Sequence, residues 1–167
     1  MTITPHVLTG AALATQTNSS VVAFLLGVAA HYILDAIPHV DPGTFLDPVS
    51  PHKNRKLDMA TIHDKDKPWP KWLYAFVIIE FAAMVAVVSL FKNRLDFGII
   101  VAGAFGGIFV DVLDNPFFRW ILSFPVLKQI HWLHHRLHYD LEPKYWQWGL
   151  LTEIIIIIGS FWLLRKG

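Results

Sequence analysis

The chain has 167 residues, 54% of them hydrophobic and 16% charged, with a formal net charge of +1 and no cysteine. It reads as one apolar domain, too greasy for a disordered chain and without the basic field that attracts a nucleic-acid backbone. Zero cysteine excludes disulfides, thiolate metal sites, iron–sulfur ligation and a cysteine nucleophile, so any metal must be held by His nitrogen and carboxylate oxygen, of which 9 His and 13 acids give a supply.

Residues 5–15 predict a short apolar helix with Pro5 in its first turn, too short to cross a bilayer alone. It lacks the basic start and small-residue cleavage site of a removable signal peptide. The polar stretch 16–20 joins it to an apolar run over 21–37, and the two read as a helical hairpin. Further apolar runs cover 72–91, 97–113 and 148–164, each near the roughly 17 to 25 residues that span a bilayer core. None of the four runs contains Lys or Arg. Trp69, Trp72 and Tyr74 stand at the edge of one run, and Tyr145, Trp146 and Trp148 at the start of another, as interfacial belts do. The expected fold is therefore an all-α integral membrane protein. It is a single domain over 1–167, a small bundle of about five helices, with a short N-terminal helix and four spanning ones. A polar loop covers about 38–71, and an interfacial His-rich helical segment about 119–142.

Sidedness follows from the loops. Lys53, Arg55, Lys56, Lys65, Lys67 and Lys71 lie in one, and Arg119, Lys128, Arg136 and Lys144 in another two crossings away, hence on the same side. The opposite side has Lys92, Arg94, Arg165 and Lys166. The positive-inside rule makes the His-rich loops cytoplasmic in a multi-pass protein of the inner, cytoplasmic membrane.

Ionisable groups inside a bilayer are costly enough to mark function. His31 and Asp35 fall in the last turns of the second segment, Glu80 lies within the third, Asp111 and Asp114 end the fourth, and Glu153 sits early in the fifth. At about 1.5 Å per residue, all six lie in the half of the membrane nearer the basic loops, with His31 and Glu153 about 8 to 10 Å deep. His6 joins them if the first helix descends from that side. Singly, Glu80 or Glu153 could just bond a neighbouring helix. Gathered at one depth, the carboxylates would repel one another unless a cation or shared protons neutralise them.

Two His-rich motifs supply ligands. In His31-Tyr-Ile-Leu-Asp35-Ala-Ile-Pro-His39-Val-Asp41, the i, i+4 spacing puts His31 and Asp35 on one helix face. Pro38 then ends the helix and turns His39 and Asp41 back toward it. In His131-Trp-Leu-His134-His135-Arg-Leu-His138, the i, i+3, i+4, i+7 positions make one His stripe, facing either the site or the headgroups. A stripe without metal remains an alternative, and His-x-x-His-His also occurs in membrane di-iron oxygenases. Gly103, Gly106 and Gly107 read as close helix packing rather than a phosphate cradle. His52 and His63 read as solvated loop residues.

The opening Thr4-Pro5-His6 helix, Gly27 and the His31 to Asp41 motif ending in Pro-His-x-Asp resemble a family of inner-membrane-associated metal-dependent hydrolases once described as LexA-binding. The resemblance covers about forty N-terminal residues and implies a metal site to which His6, Asp35, His39 and Asp41 correspond in kind. The family's Gly-His-Arg-Gly-x-Thr-His-Ser segment is absent, and residues 131–138 stand as a candidate replacement.

These readings converge on a membrane-embedded metal-dependent hydrolase acting on a lipid-borne phosphoester or ester at the cytoplasmic face. His6, His31, Asp35, His39, Asp41 and Asp111, with His131 and His135, are the candidate ligands of one or two divalent ions, zinc first and manganese, magnesium or iron as alternatives. Asp114 is a further ligand or, with Glu80 and Glu153, a catalytic carboxylate. Arg136, His134 and His138 would hold the headgroup. Membrane lipid is the expected partner, nucleic acid is not, and a homo-oligomer is allowed. The competing readings are a di-iron oxygenase or desaturase and a non-enzymatic haem- or metal-binding membrane component.

Overall fold

In the computed structural model the described residues are 1–39, 75, 78–82, 85, 86, 89, 96–114, 120, 122–139, 141 and 143–166. Every regular element among them is helical: α1 (Ile3–Ala14), α2 (Ser20–Asp35), α3 (Phe97–Asp114), α4 (Pro125–Leu137), a 3-10 turn (Pro143–Tyr145) and α5 (Trp146–Lys166). The described positions between 75 and 89 are helical too. The all-α expectation holds, and of the four expected spanning helices one, α5, has the length and apolarity of a span among the described residues, while α1, α2 and α3 are shorter apolar helices. The second segment stops at Asp35 rather than 37, because Pro38 lacks an N–H and pushes the residue before it out of helical geometry. Most of the 38–71 loop and of the 72–91 run lies outside the described residues.

Local chemistry sets the helix ends. The Ser19 hydroxyl accepts the Val22 N–H to open α2, and Asp96 Oδ1 accepts the Gly98 N–H at 3.0 Å to open α3. Pro125 opens α4, where its missing N–H costs nothing. α1 has no cap from its own Thr2 side chain. Its Thr4 N–H instead donates to Glu80 Oε2 at 2.9 Å, and the Thr4 hydroxyl donates to the same oxygen at 2.6 Å.

α1 is buried on nearly every side, from Pro5 and His6 through Val7, Leu8, Gly10, Ala11, Ala12 and Ala14. It packs against α2, α3 and α5. Val7, Leu8, Ala11 and Ala12 meet Ala23 of α2, Ile100 and Ala104 of α3 and Leu164 of α5 in one core. Such a helix needs partners with small side chains. A Cβ on Gly103 would lie 2.6 Å from the Ala14 methyl, and one on Gly107 would run into the His6 carbonyl. Small residues therefore let α3 lie against α1 and α2 almost backbone to backbone. The expectation that these glycines serve packing is met.

The outward surface carries many large apolar side chains. Val21 and Ile33 of α2 and Ile155, Ile158 and Trp162 of α5 are exposed, while His6, His31, Asp35, His39, His134 and Glu153 are buried.

Candidate metal centre

The α2 helix brings His31 and Asp35 one turn apart onto its inner face, as their spacing requires. α1 contributes His6, α3 contributes Asp111, the segment after α2 contributes His39, and α4 with its C-terminal cap contributes His134 and His138. Asp35 is the centre. His31 Nε2 lies 3.0 Å and His134 Nε2 2.7 Å from its Oδ2, with His138 Nε2 at 3.8 Å. His6 Nε2 lies 3.1 Å and His39 Nε2 3.8 Å from its Oδ1, and the Met1 nitrogen stands 3.4 Å from that atom. Asp111 Oδ1 is 3.7 Å from His31 Nε2.

Two of the rings are held from behind. His31 Nδ1 is 2.7 Å from the Gly107 carbonyl, and His39 Nδ1 is 2.8 Å from the Ile37 carbonyl. A carbonyl only accepts, so each Nδ1 carries the hydrogen, and Nε2 is left as the nitrogen that faces inward. Backbone anchoring of the far nitrogen is the usual support of a metal-ligating imidazole. Lone pairs facing carboxylate oxygens repel unless a proton or a cation lies between them. His31 Nε2 and both ring nitrogens of His6 are buried with no hydrogen-bond partner among the described residues. Burial pushes His39 down to about 3, with the Met1 ammonium and His138 adding to it against the opposing pull of Asp35, so this imidazole stays neutral and able to ligate. The donor set fits a divalent cation. Two groups converge closely enough to hold one: His31, Asp35, Asp111 and His134, and Asp35, His39 and His138.

Main-chain bonds bind α4 over this centre. The Tyr139 N–H donates to the Asp35 carbonyl at 2.8 Å and the Leu141 N–H to the His39 carbonyl at 3.1 Å. The Tyr32 hydroxyl donates to the Ile130 carbonyl at 2.8 Å. These three bonds tie the helix bearing His134 and His138 to α2. Tyr32 and Gly107 are supporting residues that sequence reasoning missed. Tyr32 stands beside His31 in the motif, but its partner is 98 residues away.

The remaining candidates are placed as follows. His134 and His138, assigned to the headgroup from sequence, lie with the ligand groups instead, because α4 turns this edge of its stripe onto Asp35. His131 and His135 pack ring to ring at 4.5 Å and belong to neither convergent group. Arg136 is exposed, its guanidinium 5.0 Å over the Trp132 ring. Glu153 is buried and accepts the Thr2 hydroxyl at 2.6 Å, so it and Glu80 flank the first turn of α1 rather than Asp35. Asp114 ends α3, but its side chain lies outside what is described, as does Asp41.

The arrangement defines a class: a helical protein with a buried His and Asp centre able to hold a metal ion. No family model, curated protein or solved structure matches the chain.

Proposed function

We propose that this protein is a membrane-embedded metal-dependent hydrolase that acts on a lipid-borne phosphoester or ester at the cytoplasmic face. The observation that carries the reading is the convergence of five imidazoles on the two oxygens of Asp35, with His31 and His39 anchored from behind. His31, Asp35, Asp111 and His134 would hold the cation. A bound divalent ion acidifies a water and polarises a scissile phosphoryl or carbonyl oxygen. Imidazole and carboxylate donors without sulfur favour zinc, with manganese or iron next.

The chain's own residues do the rest. Asp111, with 37% of its side chain exposed, is the most open of these four and marks the side from which water and a headgroup approach. Arg136, on the outer face of α4, offers a planar donor fork to a phosphate. Glu80 and Glu153 hold the start of α1, and with it His6 two residues further on. A membrane setting is supported by the exposed apolar faces of α2 and α5 around a polar interior, by α5 itself, and by the basic residues clustered in the two His-rich loops. The N-terminal resemblance to the inner-membrane hydrolases points to the same class.

The test is to purify the chain in detergent without tag or chelator, measure its metal by mass spectrometry, and assay lipid phosphoesters and esters in mixed micelles. A colourless divalent ion and a hydrolysis lost in His31→Ala and Asp35→Ala are expected. Metal retained in both variants, or none after reconstitution, overturns the reading. Iron with a visible absorption band would move the assignment to oxidation.

A further inference from the structure

We infer that the centre is dinuclear, with Asp35 as a bridging carboxylate between two divalent cations. This inference rests on the metal-dependent reading above and adds a second ion that the reading does not need.

The first argument is a count of donors. His6, His31, His39, His134, His138, Asp35 and Asp111 all bring a nitrogen or oxygen to within 4 Å of Asp35 or of a residue that touches it. Zinc in a protein takes four ligands, or three and a water, and expands only to five. One ion leaves surplus imidazoles buried beside it. A second ion would employ the remaining nitrogens as ligands.

The second argument is their division. Asp35 Oδ2 is approached by His31 and His134 and, at 3.8 Å, by His138, with Asp111 Oδ1 3.7 Å from the same His31 Nε2. Asp35 Oδ1 is approached by His6 and His39. A carboxylate whose two oxygens face different sets of nitrogens is placed to bind one cation through each, as in two-metal sites whose ions stand about 3.5–4 Å apart. His138 lies between the two sides, its Nε2 3.8 Å from Oδ2 and its ring 4.7 Å from that of His39, with which and Asp35 it forms the second convergent group.

The third is independent of both. His6 comes from a different helix, is buried, is stacked on His31 at 4.2 Å, and has no hydrogen bond at either ring nitrogen among the described residues. It lies outside both convergent groups, with its Nε2 3.1 Å from Asp35 Oδ1. A cation on the Oδ1 side gives its Nε2 a partner.

The experiment is manganese titration of the full-length, metal-stripped chain in detergent, read by electron paramagnetic resonance and by bound metal per chain. The wild type is expected to bind two Mn²⁺ and to show the many-line spectrum of an exchange-coupled pair. The double variant His6→Ala/His39→Ala should keep one ion with an uncoupled six-line spectrum, and His134→Ala should weaken the other. Saturation of the wild type at one ion, or two ions without coupling, overturns the dinuclear inference and leaves the hydrolase reading standing. No bound ion overturns both. The wild-type spectrum decides even if a variant fails to fold.

Discussion

At the scale of the residue, Asp35 is the group on which the site depends. Asp35→Ala and His31→Ala are expected to lose bound metal while circular dichroism still reports a helical protein. Tyr32→Phe tests a gentler perturbation. It removes one hydrogen bond holding α4 over the centre, worth about 1 kcal/mol, and should weaken metal binding by about fivefold in a competition titration. The pH dependence has a definite sign. His39 is held neutral in the fold down to about 3, whereas the unfolded chain takes up that proton near 6.5. The unfolded state therefore binds more protons as pH falls, and the metal-free protein should lose stability progressively from about 6.5 toward 3, with its full contribution from this group present above 6.5. Thermal melts across that range check it. Much of this was legible beforehand, because an i, i+4 His-Asp pair before a proline can be read from one stretch of chain. The Gly107 carbonyl behind His31 was not, since backbone acceptors carry no sequence signature and this one lies 76 residues away.

At the scale of the element, α3 is placed by what it lacks. Gly107→Ala sets a methyl against the His6 carbonyl on the same turn whose own carbonyl anchors His31. Overpacking of this kind costs about 1–3 kcal/mol, and both melting temperature and metal content should fall together. A variant that loses stability but keeps its metal would disconnect this packing from the centre. Glu80 separates two roles. As the cap of α1, Glu80→Ala should cost about 0.5–2 kcal/mol in melting experiments and Glu80→Gln, which still accepts a hydrogen bond, distinctly less. If Glu80 were the general base, the Gln variant would instead be inactive with its stability intact. The glycine spacing announced close packing in the sequence. The capping of α1 by a distant carboxylate did not, because Thr2 at the expected cap position makes no such bond. The allotment of the His stripe also depended on tertiary structure. Periodicity put four His on one stripe, and only the docking of α4 on α2 selected His134 and His138 for Asp35.

At the scale of the whole molecule, a buried cluster of His, Asp and Glu sits beside an apolar core, and many Ile, Val, Leu and Trp side chains remain exposed. The absence of cysteine makes the proposed membrane orientation directly testable, since each introduced thiol is the only one in the chain. Lys53→Cys and Lys128→Cys should react with an impermeant maleimide from the cytoplasmic side, and Arg94→Cys from the opposite side. Labelling of all three from one side would refute the proposed multi-pass arrangement. Asp35 links that architecture to a simple readout. Its side chain receives the imidazoles while its main-chain carbonyl receives the Tyr139 N–H, so a substitution at the side chain leaves the backbone acceptor in place. The Tyr139 amide is thus a built-in reporter. Its deuterium uptake should slow when metal is added to the wild type and stay unchanged in Asp35→Ala, turning occupancy of the centre into the exchange rate of one hydrogen.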